Sequence, residues 1–184
     1  FPTRRSSDLD GKYVNVRIST FSYDGTVNDP GDKMAASTAV TVICDKVNYD
    51  GLIFGDEYIL NGKLHYAGDA TLPDGTVIKA GDPFTDGSGR QYESELTFTA
   101  GRDGDFTVSD NGVTVSGTIE IRIECDTSKL SYNYTPLVVF EDIYRKDDRL
   151  NVGIHHDINA ASQTEYPVGI RTELVMKGTD SQIG

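Results

Sequence analysis

The stretch GTIEIRIECD, residues 117–126, constrains this chain more than any other. Ile119, Ile121, Ile123 and Cys125 fall on one side of an extended chain, and Glu120, Arg122 and Glu124 on the other. A strand turns successive side chains to opposite faces, so the pattern reads as one half-buried strand. The same period recurs along the sequence. Val14, Val16, Ile18 and Thr20 alternate in KYVNVRISTF; Thr41, Ile43, Asp45, Val47 and Tyr49 alternate in TAVTVICDKVNY; Leu137, Val139 and Glu141 alternate in PLVVFED. GDFTVSDNGVTVSG carries a hairpin signal at Asn111-Gly112. YILNGKLHYAG reads as a strand pair, or as one strand with a bulge at Asn61-Gly62. No segment has a useful helical period. The nearest is a single turn in DINAAS, with Asp157 placed to cap it. About ten short strands with frequent turns predict an all-β, immunoglobulin-like β-sandwich, although the Cys…Trp…Cys pattern of antibody domains is missing.

The chain has 184 residues, enough for one ordinary domain. Its net charge of −12 argues against nucleic acid and anionic membrane surfaces, which both attract basic proteins. No apolar run approaches a membrane span. Cys44 and Cys125 have no zinc-type spacing, and the alternation places Cys125 on an apolar face, favouring a buried thiol over a bridge. FPTRRSSDL, residues 1–9, resembles one reading frame of a sequencing-library adapter and is set aside as a non-native leader.

The anomalies in the pattern are polar residues on apolar faces. Asp45 is in phase with Ile43, Val47 and Tyr49, Glu141 with Leu137 and Val139, and Thr20 with Val16 and Ile18. A carboxylate in a core is costly unless paired or protonated, and two that meet there share a proton. An edge strand with a wet face explains either acid alone. The acids gain meaning beside HHDINAASQT, residues 155–164, which holds two of the three histidines.

Taken in order, these segments resemble the Thr–Gln ester-bond domains of Gram-positive surface proteins, also called VaFE repeats, over roughly residues 11–167. ISTFSYDG resembles the family's first strand with its reactive Thr; CDKVNYDGLIFGDEYILNGKL its Asp-bearing strand, an Asn/Tyr-rich turn and the strand that follows; LVVFEDIY the eponymous signature; HHDINAASQT the H-x-D-x5-Q-T ending. The sequence departs in having Phe21 where a second Thr is frequent, and His156 where a charged residue is usual. The resemblance implies that Thr20 is the ester nucleophile and Gln163 its partner, with His155 as base and Asp45 and Glu141 as supporting acids, one of them protonated to polarise the Gln carbonyl. It implies a self-crosslinking module that turns over no external substrate and needs no cofactor. The implied setting is a tandem stalk of a cell-wall-anchored, extracellular Gram-positive adhesin, with neighbouring repeats as partners and no nucleic-acid or membrane contact by this domain. The domain then spans residues 10–167. Residues 168–184, with Ile170-Arg171-Thr172, begin a following repeat or form a last strand of this one.

Three other readings compete. His155, His156 and Asp157 suggest a metal site, but adjacent residues on a strand point apart, His65 is isolated, and no metal is expected. A Thr/His/acid set also suits a hydrolase. The ten tyrosines and acidic loops suit a ligand- or glycan-binding module of a secreted surface protein.

Overall fold

A computed structural model describes residues 16–26, 33, 37–130 and 135–167. The leader 1–9, Val14 and residues 168–184 lie outside the described residues. The described chain forms β1 (Arg17–Asp24), β2 (Thr41–Ile53), β3 (Glu57–Tyr66), β4 (Ala70–Thr71), β5 (Val77–Ile78), β6 (Glu93–Thr99), β7 (Asp105–Val108), β8 (Thr114–Cys125), β9 (Leu137–Arg145), β10 (Asn151–His155) and β11 (Thr164–Glu165). Its two helical pieces are 3-10 turns, Ser128–Leu130 and Ala161–Gln163. No helix among the described residues is long and apolar enough to cross a membrane.

The strands make the expected immunoglobulin-like sandwich. One sheet runs β1-β2-β8-β7, the other β10-β9-β3-β6, with β11 added alongside β9 and a small β4-β5 hairpin outside both. Every named pairing is antiparallel. The alternating faces read from sequence point inward: Ile43, Val47, Tyr49, Ile119, Ile121, Ile123, Leu137 and Val139 are all buried. They form two apolar clusters. One gathers Val47, Leu60, Phe98, Ile121 and Ile143, the other Ile43, Leu64, Phe84, Ile123 and Val139. Asp45 lies in sequence between Ile43 and Val47, and Glu141 between Val139 and Ile143, so the two acids fall at the seam between the clusters.

Asn61-Gly62 is neither a turn nor a bulge. β3 runs through it with unbroken register to β6 and β9. Gly62 sits where the sheets press together: a Cβ there would lie 3.4 Å from both Ile121 and Ile123. The bulge lies instead at Gly51 in β2, whose φ is 95°, where the register to β8 shifts between Asp50 and Leu52. The expected Asn/Tyr-rich turn is therefore part of a long strand, and the chain reverses at Phe54-Gly55. Asn111-Gly112 does turn the chain between β7 and β8, with Asn111 Oδ1 accepting from Val113 N at 2.8 Å. Cys44 and Cys125 are both buried and free.

Two consequences position the site. β1 and β10 are the end strands of their respective sheets, and they approach closely on the same side of the sandwich. Gly153 in β10 allows this, because a Cβ there would meet Ile18 Cδ1 at 2.6 Å. The segment after β10 then brings the 3-10 turn Ala161–Gln163 against β1.

Candidate functional site

The five residues singled out from sequence come from five elements that pack around this seam: Asp45, His155 and Gln163 gather on Glu141, and Thr20 lies on the strand against which the Gln163 turn packs. Thr20 lies on β1 with its side chain inward, 6% exposed, while Ser19 beside it faces solvent. Asp45 lies on β2, opposite Ser22 of β1 and two pairs along from Thr20↔Val47, on the same face. Glu141 lies on β9, directly across from His155 of β10. Gln163 ends the 3-10 turn. Asp45, Glu141 and Gln163 have no exposed surface.

Gln163 carries the most informative contacts. Its Nε2 donates to Glu141 Oε1 at 2.8 Å, to Glu141 Oε2 at 2.6 Å and to Val139 O at 2.9 Å. Its Oε1 is buried without a partner, and so is Thr20 Oγ1. The amide orientation follows from this network, since a carboxylate partner demands the N–H side. The leaving nitrogen of an amide is thus held by a carboxyl, while its carbonyl oxygen and a hydroxyl are left unsatisfied. Unpaired buried polar atoms cost about 1–3 kcal/mol each. A domain retains such a cost where the groups have a reaction to perform.

The two acids behave as a coupled pair. Burial raises Asp45 well above the usual carboxyl range, and its hydrogen bond with Glu141 raises it further. Burial also lifts Glu141, to about 7, while hydrogen bonds from Asp45 and Gln163 hold it down. Neither oxygen of Asp45 finds a donor in the protein. Two buried carboxyls that each disfavour the charged form share one proton between them, and Glu141 accepts from Gln163 Nε2 with both of its oxygens.

His155 Nδ1 stands 3.5 Å from Glu141 Oε2, and its side chain is 22% exposed. His156 points to the opposite face. Its Nε2 is 3.2 Å from Asp142 Oδ2, and its ring stacks on Phe140, which stacks in turn on His65. The adjacent histidines therefore serve different faces of one sheet, and no group of three metal-ligating side chains occurs among the described residues. Asp157 holds the turn that follows, accepting from Asn159 N at 2.9 Å.

The structure adds three residues that the sequence reading did not single out. Ser22 shares the inward face of β1 with Thr20, and its Oγ donates to the buried Glu165 Oε1 at 2.8 Å. Lys33 Nζ lies 3.1 Å from the same oxygen. Ser22 and Glu165 were detectable in phase, two residues from Thr20 and Gln163 respectively. Lys33 sits outside any alternating segment and gave no signal.

A model of the T-Q ester bond containing domain matches residues 17–166. No curated protein matches the chain. Two solved structures of a bacterial adhesin from Mobiluncus mulieris, described as containing intramolecular disulfide, isopeptide and ester bond cross-links, share the fold. One superposes with TM-score 0.58 at 13% identity over 85% of this chain, the other with TM-score 0.55 at 16% identity over 84%. This chain spans 58% of each of those adhesin chains. The family match runs from the first described strand, with Thr20, through the turn that carries Gln163, and this chain belongs to the T-Q ester bond domain family.

Proposed function

We propose that Thr20 and Gln163 form an intramolecular ester, and that the domain is a load-bearing stalk module of a bacterial surface adhesin. The observation that carries this reading is the state of Gln163: fully buried, nitrogen on a carboxyl, carbonyl oxygen unpaired, in a turn packed on the strand that bears an unpaired Thr hydroxyl.

In the reaction, Thr20 Oγ1 attacks Gln163 Cδ, and the C–O bond forms as the C–N bond breaks. The hydroxyl proton passes to a base and then to the departing nitrogen, which leaves as ammonia. A Thr hydroxyl is a weak nucleophile until such a base takes its proton. His155 serves as that base, in contact with Glu141. The Glu141 carboxylate beside His155 takes that proton over and passes it to the Nε2 it holds, so that the nitrogen leaves as ammonia. From sequence, an acid was expected on the carbonyl oxygen. The contacts favour Glu141 on the nitrogen instead and leave the oxyanion to protonated Asp45. Positioning by the fold can contribute about 7–11 kcal/mol toward the barrier. The reaction happens once per molecule, so the domain is not an enzyme and requires no cofactor.

The bond joins the first described strand to the last turn of the domain, so force between the ends runs through a covalent link. Forced unfolding is governed by rate, which such a link defeats. Tandem repeats in the same chain, an extracellular location and anchoring to a Gram-positive wall complete the proposal. Tryptic digestion tests it. Ile18–Lys33 and Leu150–Arg171 should elute as one joined species that hydroxylamine separates. Recovery of the two peptides unjoined from folded protein would refute it.

A further inference from the structure

Lys33 makes more contacts than its place outside the strands suggests. Its Nζ donates to Ser22 O on β1, to Ser162 O at 2.6 Å on the Gln163 turn, and to Glu165 Oε1 at 3.1 Å on β11. It also lies 4.2 Å from the centre of the Phe21 ring. Its backbone oxygen accepts from Tyr166 N at 2.9 Å. An ammonium has three protons, and here each has an oxygen. The nitrogen has no lone pair to spare, so Lys33 is not a base or a nucleophile.

The acceptors belong to two parts of the chain that the ester must join. Ser22 is two residues from Thr20, Ser162 precedes Gln163, and Glu165 follows it by two. Among the described residues, the hydrogen bonds that tie β1 to segment 162–165 all pass through Ser22, Lys33 and Glu165. Without them the turn is fastened to the opposite sheet, by β11, which is two residues long, and by the Gln163 Nε2 bonds to Glu141 and Val139 O.

We propose that Lys33 is a positioning residue for crosslinking: it clamps the Gln163 turn against β1 in the folded, unreacted domain and so holds Gln163 within reach of Thr20. The inference rests on the Thr20–Gln163 reading. Glu165 is the counter-charge that keeps the clamp closed, and Ser22 completes it. A displacement of about 1 Å in such a pair can slow reaction by about 100-fold.

The full chain is made by cell-free synthesis, samples are quenched in denaturant over time, and the fraction lacking one ammonia is read by mass. Lys33→Met should crosslink about 10- to 100-fold more slowly than wild type, and Lys33→Arg should recover most of the rate. Glu165→Gln, which keeps the shape and loses the charge, should slow it at least about threefold and stands in if Lys33→Met does not fold. A folded Lys33→Met or Glu165→Gln that crosslinks at the wild-type rate overturns the proposal. A second readout is independent of the ester. In Thr20→Val protein, Lys33→Met should speed hydrogen exchange at the Gln163 amide, which donates to Ala160 O at 2.9 Å. Unchanged exchange there also refutes the clamp, whereas wild-type protein that never loses ammonia refutes the ester reading instead.

Discussion

Thr20→Val isolates the crosslink from the packing around it. Valine keeps the branched shape in a site only 6% exposed, and the hydroxyl it removes has no hydrogen-bond partner. The usual penalty for exchanging Thr and Val, a broken hydrogen bond, is therefore absent. What is lost is the proposed covalent loop of about 140 residues between Thr20 and Gln163, worth about 5 kcal/mol in the chain-entropy treatment of cross-links. For a domain of this size each kcal/mol moves Tm by about 2–4 °C, so Thr20→Val should melt about 10–20 °C below wild type. Calorimetry of both proteins in the same buffer measures this. A Tm within about 2 °C of wild type would refute the reasoning, since crosslinked wild type has no free Thr20 hydroxyl whose removal could offset the lost loop.

Glu141→Gln removes the proposed proton donor to the leaving nitrogen and should cut the crosslinking rate by about 100-fold or more, read by mass over time. His155→Ala should slow crosslinking as well, while His156→Ala, on the outer face against Phe140, should leave the rate unchanged. In uncrosslinked Thr20→Val protein, stability should fall as pH rises from about 4.5 to about 7, because folding raises Glu141 from 4.5 to about 7 and the native state binds the extra proton across that window. Asp45 and Glu165, both raised by burial, act in the same direction. Thermal melts across this range check the sign, and Glu141→Gln in that background should flatten the slope.

Much of the site was legible because buried strands alternate with period two. That period exposes Asp45, Glu141 and Thr20 as polar residues on apolar faces, and all three are buried in the fold. It also separates Thr20 from Ser19. Asn61-Gly62 was misread because its local turn chemistry is strong, whereas the glycine answers to the pressure of Ile121 and Ile123 from the facing sheet. Which atom of Gln163 meets Glu141 is a matter of a few ångströms, which no periodicity encodes. Lys33 was invisible for a different reason. Its partners are backbone oxygens and a glutamate some 130 residues away, and a residue outside the strands has no phase to betray it.

The most direct measurement of the central claim is the intact mass of purified, folded wild-type protein. An ester between Thr20 and Gln163 requires a mass lower by one ammonia than the sequence, and Thr20→Val must restore its full calculated mass. A folded wild-type protein at its full calculated mass would contradict the account.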